Sequence, residues 1–154
     1  MPDKPLSHAT HPVERLRADL VRVGCAEFTA PSYKPGTIRH IVLLRFAAQT
    51  RDEQKTDAMA RFRALRTSAT RDGRPYIRSI EAGWQQSGEQ ADLSFEQIFI
   101  VTFDSEGDRN FYVGEPIVDD PRYYDPVHHA FKAWVGPMLW ASPQGVLVVD
   151  FTST

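Results

Sequence analysis

Residues 37–46 read TIRHIVLLRF. In an extended strand successive side chains point to opposite faces, so Ile38, His40, Val42, Leu44 and Phe46 share one side. Ile41 and Leu43 share the other. A strand that is apolar on both sides needs cover on both sides. His40 is the one polar residue in the first row.

Outward from this strand, the C-terminal side predicts a helix. Thr50 is the expected N-cap, with Glu53 completing a capping box. Ala58, Phe62, Leu65 and Ala69 then form an apolar stripe with charges opposite. Arg71-Asp72-Gly73 opens a turn. Residues 77–85 read as a second strand, with Ile80, Ala82 and Trp84 on one face. Residues 95–103 read as a third, with Phe95, Gln97, Phe99, Val101 and Phe103 on one face and Ile98 and Ile100 opposite. Ser105 caps a short helix reaching about Tyr112. Residues 114–126 hold three prolines and four acidic residues and read as a long loop. Residues 127–135 read as helical, stopped by Gly136-Pro137, and 146–151 form a last strand.

The order is β-α-β-β-α-β, the ferredoxin-like signature of an α+β fold. Helices on one face of such a sheet leave the other face open. The apolar alternation on both faces asks for cover there, and a second copy would supply it by closing two sheets into a dimeric α/β barrel. A β-sandwich is the alternative.

On the N-terminal side, 13–23 predicts a short helix with Leu16, Leu20 and Val23 on one stripe, Pro12 in its first turn and Gly24 at its end. Residues 29–36 contain Pro31 and Pro35 and read as a linker. Residues 1–36 are therefore an extension on a domain spanning 37–154.

Composition narrows the function classes. The 154 residues suit one core, and 42% hydrophobic with 25% charged is ordinary for a globular domain. The formal net charge is −2, with the signs interspersed. No basic block marks a nucleic-acid partner, and the balance argues against electrostatic membrane binding. Residues 1–12 lack a signal-peptide core, and no stretch approaches the roughly 18 apolar residues of a span. Cys25 is the single cysteine, which fits a reducing compartment, and a cytoplasmic protein is expected. Cys25 itself reads as small apolar filler rather than a nucleophile.

Several segments resemble the stress-responsive A/B barrel domain family. Residues 39–46 look like its opening strand. Val101-Thr102-Phe103 followed by Asp104-Ser105-Glu106 looks like its strand running into an acidic helix start. Asp125-Pro126-Val127-His128-His129-Ala130-Phe131 resembles its His-Pro-x-His-x-x-Phe element, and Val148-Val149-Asp150-Phe151 its closing strand. The resemblance covers 37–154 and implies a dimeric α/β barrel, hence a homodimer. The chemistry best understood in that family is polyketide cyclisation without a cofactor, in a cavity lined by histidines and a tyrosine. Carried over, the first-strand histidine falls on His40 and the last histidine of the element on His128, while Asp125 replaces its first. The tyrosine falls on Tyr112, or on Tyr124 if the inserted residues 114–124 displace it. A third-strand cavity histidine falls on Gln97, which hydrogen-bonds but cannot shuttle protons at neutral pH.

These residues suit acid–base work on a small hydrophobic carbonyl compound, with Val42, Gln97, Phe99 and Phe131 contacting the ligand. His128 would act as base, Tyr112 or Tyr124 as donor to an enolate oxygen, and His40 would orient a carbonyl. The bland reading makes His40 and Gln97 hydrogen-bonded core residues in a non-catalytic, stress-related or ligand-binding dimer. A monooxygenase using the same histidines is a third reading. Asp119, Asp120, Asp125, His128 and His129 match no strong metal spacing, so no metal is expected. Trp134 and Trp140 read as core or dimer-contact residues. The extension and the 114–124 insertion are expected to cover the pocket or widen the dimer contact.

Overall fold

The computed structural model describes residues 11–141 and 143–154. Its main sheet has four antiparallel strands in the order β4-β5-β1-β6. These are β1 (Pro35–Leu44), β4 (Ser79–Trp84), β5 (Gln97–Ser105) and β6 (Val146–Phe151), while β2 (Thr70–Arg71) and β3 (Arg74–Pro75) form a small separate hairpin. The helices are α1 (Pro12–Phe28), α2 (Asp52–Ser68), α3 (Glu106–Val113) and α4 (Pro126–Val135). Apart from α1 and the hairpin, the order is the ferredoxin-like β-α-β-β-α-β expected from the pattern, with extra helical turns before β6.

The central pair sets the register. His40 lies opposite Val101 on β5 and opposite Asp150 on β6. The helix-side row of β1 is Ile38, His40, Val42 and Leu44, and all four are buried. Their neighbours Phe99, Val101 and Phe103 are fully buried beneath the helices. From α2 the residues Ala58, Met59, Phe62 and Leu65 turn inward. Phe62 stacks on Phe99 at 3.8 Å between ring centroids and meets Phe131 of α4 edge-on at 5.3 Å. The far face of the sheet carries Ile41, Leu43, Ile98, Ile100, Leu147 and Val149, and none of the six is buried.

Two local expectations change. The N-cap of α2 is Arg51, whose N–H bonds Gln54 Oε1 at 2.9 Å. The Thr50 hydroxyl instead donates to the Met138 carbonyl at 2.6 Å, tying the α2 entrance to the turn after α4. Gly24 does not end α1. It forms a kink at φ 82°, ψ 164°, and a last helical stretch reaches Phe28.

A second small core lies beyond α3. Phe28, Tyr33 and Val118 are buried there, with Leu16, Leu20 and Ile117 against them. It joins α1 to the 114–124 segment. Gly107 lets α3 press onto the turn after α1, since a Cβ at that position would lie 1.7 Å from the Ala30 carbonyl oxygen.

Candidate functional site

β1 and α3 bring His40 and Tyr112 together, and α4 adds His128. The three are 4%, 1% and 7% exposed. The Tyr112 ring meets His40 edge-on at 5.7 Å and stacks on His128 at 3.7 Å. Burial holds Tyr112 protonated, with its pKa pushed above the ordinary tyrosine value and the nearby Asp125 adding to the effect. Its hydroxyl is buried without a hydrogen-bond partner among the described residues.

His128 Nδ1 lies 2.5 Å from the Tyr112 carbonyl oxygen. A carbonyl only accepts, so Nδ1 carries the hydrogen and Nε2 the lone pair. Desolvation is the main cause that lowers the His128 pKa to about 3, and Lys132 lowers it further. The ring is therefore neutral across the physiological range and a weak base.

His40 has a different surrounding. Its Nδ1 is 2.7 Å from Asp150 Oδ1. The carboxylate accepts, so Nδ1 carries the hydrogen here too, and Nε2 holds the lone pair. Arg109 Nη1 donates to the other oxygen, Asp150 Oδ2, at 2.7 Å. Burial works to raise the Asp150 pKa, but its bonds and charge pairing with His40 and Arg109 prevail and hold it below the ordinary carboxylate value. Arg109 is itself buried, and its Nε donates to Asn110 Oδ1 at 2.9 Å. This gives an ordered line: guanidinium, carboxylate, imidazole.

An open cleft of about 530 Å³ reaches this line. Its walls come from α1 (Leu16), α3 (Val113), the insertion (Ile117) and the edge strand β6 (Val148, Phe151), with Arg109, Asp150 and His40 among the polar lining. The cleft exists because β6 is an edge with little helical cover, and Val148 on its helix side is 50% exposed.

Of the residues singled out in the sequence, His40 alone lines the cleft. Tyr112 and His128 lie beside it in the packed interior. Tyr124 is not brought to the cluster; it stacks on His129 at 4.9 Å and packs with the second core. Val42, Phe99 and Phe131 belong to the filled main core. Gln97 is fully buried and donates to the Lys55 carbonyl at 2.7 Å.

Sequence reasoning missed Asp150, Arg109 and the support of α4. In the sequence Asp150 stands within the stretch that resembles the family's closing strand, with no role of its own. Its signal was parity, since Val146, Val148 and Asp150 share one side of β6, which places a carboxylate in the row facing His40. Asp125 is 1% exposed and caps α4. Its Oδ1 accepts from the Val127 and His128 N–H groups at 2.8 and 3.2 Å, and Oδ2 accepts from the Tyr76 hydroxyl at 2.5 Å. Asp125 thus fixes the helix that carries His128. Among the described residues, no group of three or more His, Cys, Asp or Glu side chains is placed to hold a metal.

The model of the Stress responsive A/B Barrel Domain family (Dabb) matches residues 38–153. No curated protein matches the chain. Among solved structures, hydroxynitrile lyase from Passiflora edulis is similar at 20% identity and TM-score 0.58, over 78% of this chain and 95% of that one. A dimeric ferredoxin-like protein of unknown function from Jannaschia sp. CCS1 is similar at 19% identity and TM-score 0.58, over 77% and 100%. A protein of Arabidopsis thaliana is similar at 19% identity and TM-score 0.57, over 76% and 95%. At these identities the likeness is one of fold.

Proposed function

Because the chain belongs to the stress-responsive A/B barrel domain family, we propose that it is a cofactor-free enzyme that moves a proton next to the carbonyl of a small hydrophobic compound. The reaction class is cyclisation or isomerisation of the polyketide-cyclase kind. The observation that carries this is the cleft of about 530 Å³ ending on the His40–Asp150–Arg109 line. A mostly apolar pocket with a few convergent polar groups is the usual form of a small-molecule site.

In this reading His40 Nε2 takes the proton from carbon. Asp150 keeps the hydrogen on Nδ1 and stabilises the imidazolium that forms, while Arg109 holds Asp150 ionised and in place. Such general-base work is typically worth about 10²–10⁴-fold. The Tyr112 ring, edge-on to His40 at 5.7 Å, holds that imidazole in place from the packed interior. His128 supports the Tyr112 ring from its other face and holds its carbonyl. The base is thus His40 rather than His128, because a histidine with a pKa of about 3 accepts a proton poorly near neutrality. That a protein of this fold is a hydroxynitrile lyase supports the idea that the fold can house chemistry.

We further propose a cytoplasmic homodimer in which the open apolar face of the sheet meets its copy. Relatives of this fold are described as dimeric. The unpaired Cys25 fits a reducing compartment. Among the described residues, no helix is long and apolar enough to cross a membrane. A charge placed on that face, Ile100→Glu, should give a monomer by light scattering; an unchanged mass would rule out this face.

The catalytic reading is tested by deuterium exchange. The chain is incubated in heavy water with 4-phenylbutan-2-one, and exchange beside the carbonyl is followed by NMR. Exchange well above buffer, lost in His40→Ala, supports the reading. No exchange above buffer, or full exchange in His40→Ala, overturns it. A non-catalytic ligand-binding dimer is the second reading, and the packing favours it at one point: the Tyr112 ring is sandwiched against His128 and 1% exposed.

A further inference from the structure

On the far side of α4 from the main core, Glu115, Pro116, His129, Lys132 and Ala133 line an open depression of about 470 Å³. It is separate from the His40 cleft and shares no lining residue with it. Lys132 is half-buried there. Its Nζ donates to the Val113 carbonyl at the end of α3, at 2.9 Å.

The lysines of the chain are not alike. There are four: Lys4, Lys34, Lys55 and Lys132. Lys34 is paired with Asp19 at 2.9 Å, which raises its pKa, and Lys55 with Glu96 at 2.6 Å. Lys132 has no carboxylate within ion-pair distance among the described residues. The groups around it are the Val113 carbonyl, Glu115 across the depression, and His128 and His129 on its own helix. A helix-end carbonyl and Glu115 favour the ammonium ion, but desolvation outweighs them and lowers the Lys132 pKa. A lysine whose charge is not held by an ion-paired carboxylate offers a larger share of free amine, the form that attacks carbonyl carbon.

We propose that Lys132 is a nucleophilic lysine that forms an imine with small aldehydes held in this depression. The amine lone pair attacks the aldehyde carbon, the carbonyl π pair moves to oxygen, and a proton passes from nitrogen to that oxygen. Loss of water then leaves a C=N bond. Amine and aldehyde give imine and water, with nothing oxidised or reduced. Glu115 and His129, in the same depression, are placed to carry the protons. Aromatic aldehydes are the class to take, because an aromatic ring, His129, lines the depression together with Lys132.

The test treats the full chain with benzaldehyde and sodium cyanoborohydride, which fixes each imine as a benzylamine, and maps the marks by peptide mass spectrometry. Lys34 and Lys55 are internal references. The expected result near neutral pH is a mark on Lys132 several-fold above both, with half-maximal labelling at a lower pH than for Lys34. Lys132→Arg keeps a donor to the Val113 carbonyl and should lose this mark alone. Equal marking of the three lysines, a Lys132 mark below the references, or no mark at all overturns the proposal. The wild-type pH profile decides the matter even if the variant folds poorly. None of these outcomes touches the His40 reading.

Discussion

The helix face of one sheet holds two unlike regions. Under α2 and α4 the face is filled: Phe62 stacks on Phe99 and meets Phe131 edge-on, and the strands there add Gln97 as a buried polar side chain. Toward the β6 edge the cover comes from α3 and the added α1. There the face carries a histidine and a carboxylate, α3 adds an arginine, and a cleft remains. The strands and their pleat are the same in both. What differs is whether a helix lies over the row. A cleft is left where the cover is incomplete, and the aromatic core fills the face where it is complete.

That contrast breaks most directly in the filled region. Phe62→Ala removes a ring that is 2% exposed, stacked on Phe99 and met edge-on by Phe131. Truncating such a ring costs about 3–5 kcal/mol, so urea unfolding should show a loss of that size. A loss below about 1 kcal/mol would mean that the two regions do not differ in packing.

The boundary between the regions is His128, and its effect depends on pH. Its folded pKa of about 3 lies below the ordinary histidine value of 6.5. The unfolded chain therefore binds the proton first as pH falls, and stability drops between pH 6.5 and about 3. At pH near 4.5 the wild type should have lost about 2–3 kcal/mol through this residue alone. His128→Leu should flatten this part of the stability profile, whatever its absolute stability. An unchanged slope would mean that the ring is solvated rather than locked in the core.

The next effect sharpens the cleft side. Asp150→Asn keeps the shape but removes the charge that fixes the His40 tautomer and pairs with Arg109. A hydrogen bond to a charged group is worth about 1.5–3 kcal/mol, so the deuterium-exchange rate should fall about 10- to 100-fold. An unaltered rate would leave the line as structural wiring.

These two regions were unequally legible in the sequence. The filled one was written in local pattern. Alternation in 37–46 and 95–103 and the stripe Ala58, Phe62, Leu65 specify strands, helix and facing rows without any partner in view. His40 stood out as the polar residue of an apolar row, while the roles of Tyr112 and His128 came through the family resemblance, and the fold brings the three rings together. The cleft depends on pairs distant in sequence. His40 and Asp150 meet only through the β1–β6 register, and Arg109 reaches Asp150 from a two-turn helix with no motif of its own. Asp125 sat in a stretch read as loop, where its role as cap of α4 was hidden. Thr50 looked like a cap because its type is right, yet a tertiary partner, the Met138 carbonyl, claims its hydroxyl.

The smallest effect tests whether α3 is held independently of the filled core. Ser105 is the N-cap of α3, and its Oγ accepts the Asp108 N–H at 3.0 Å. Ser105→Ala should cost about 1 kcal/mol, the usual value of a lost cap. The consequence should be local, because α3 places Arg109 against Asp150 and, through the Asn110 side chain bonded to the Phe28 carbonyl at 2.9 Å, also anchors α1. Amide hydrogen exchange is then expected to speed up in α3 and in the last turn of α1, and to stay unchanged in α2. Faster exchange spread evenly over α2 as well would show that the cleft wall and the core open as one unit, and the division of the sheet into two regions would not hold.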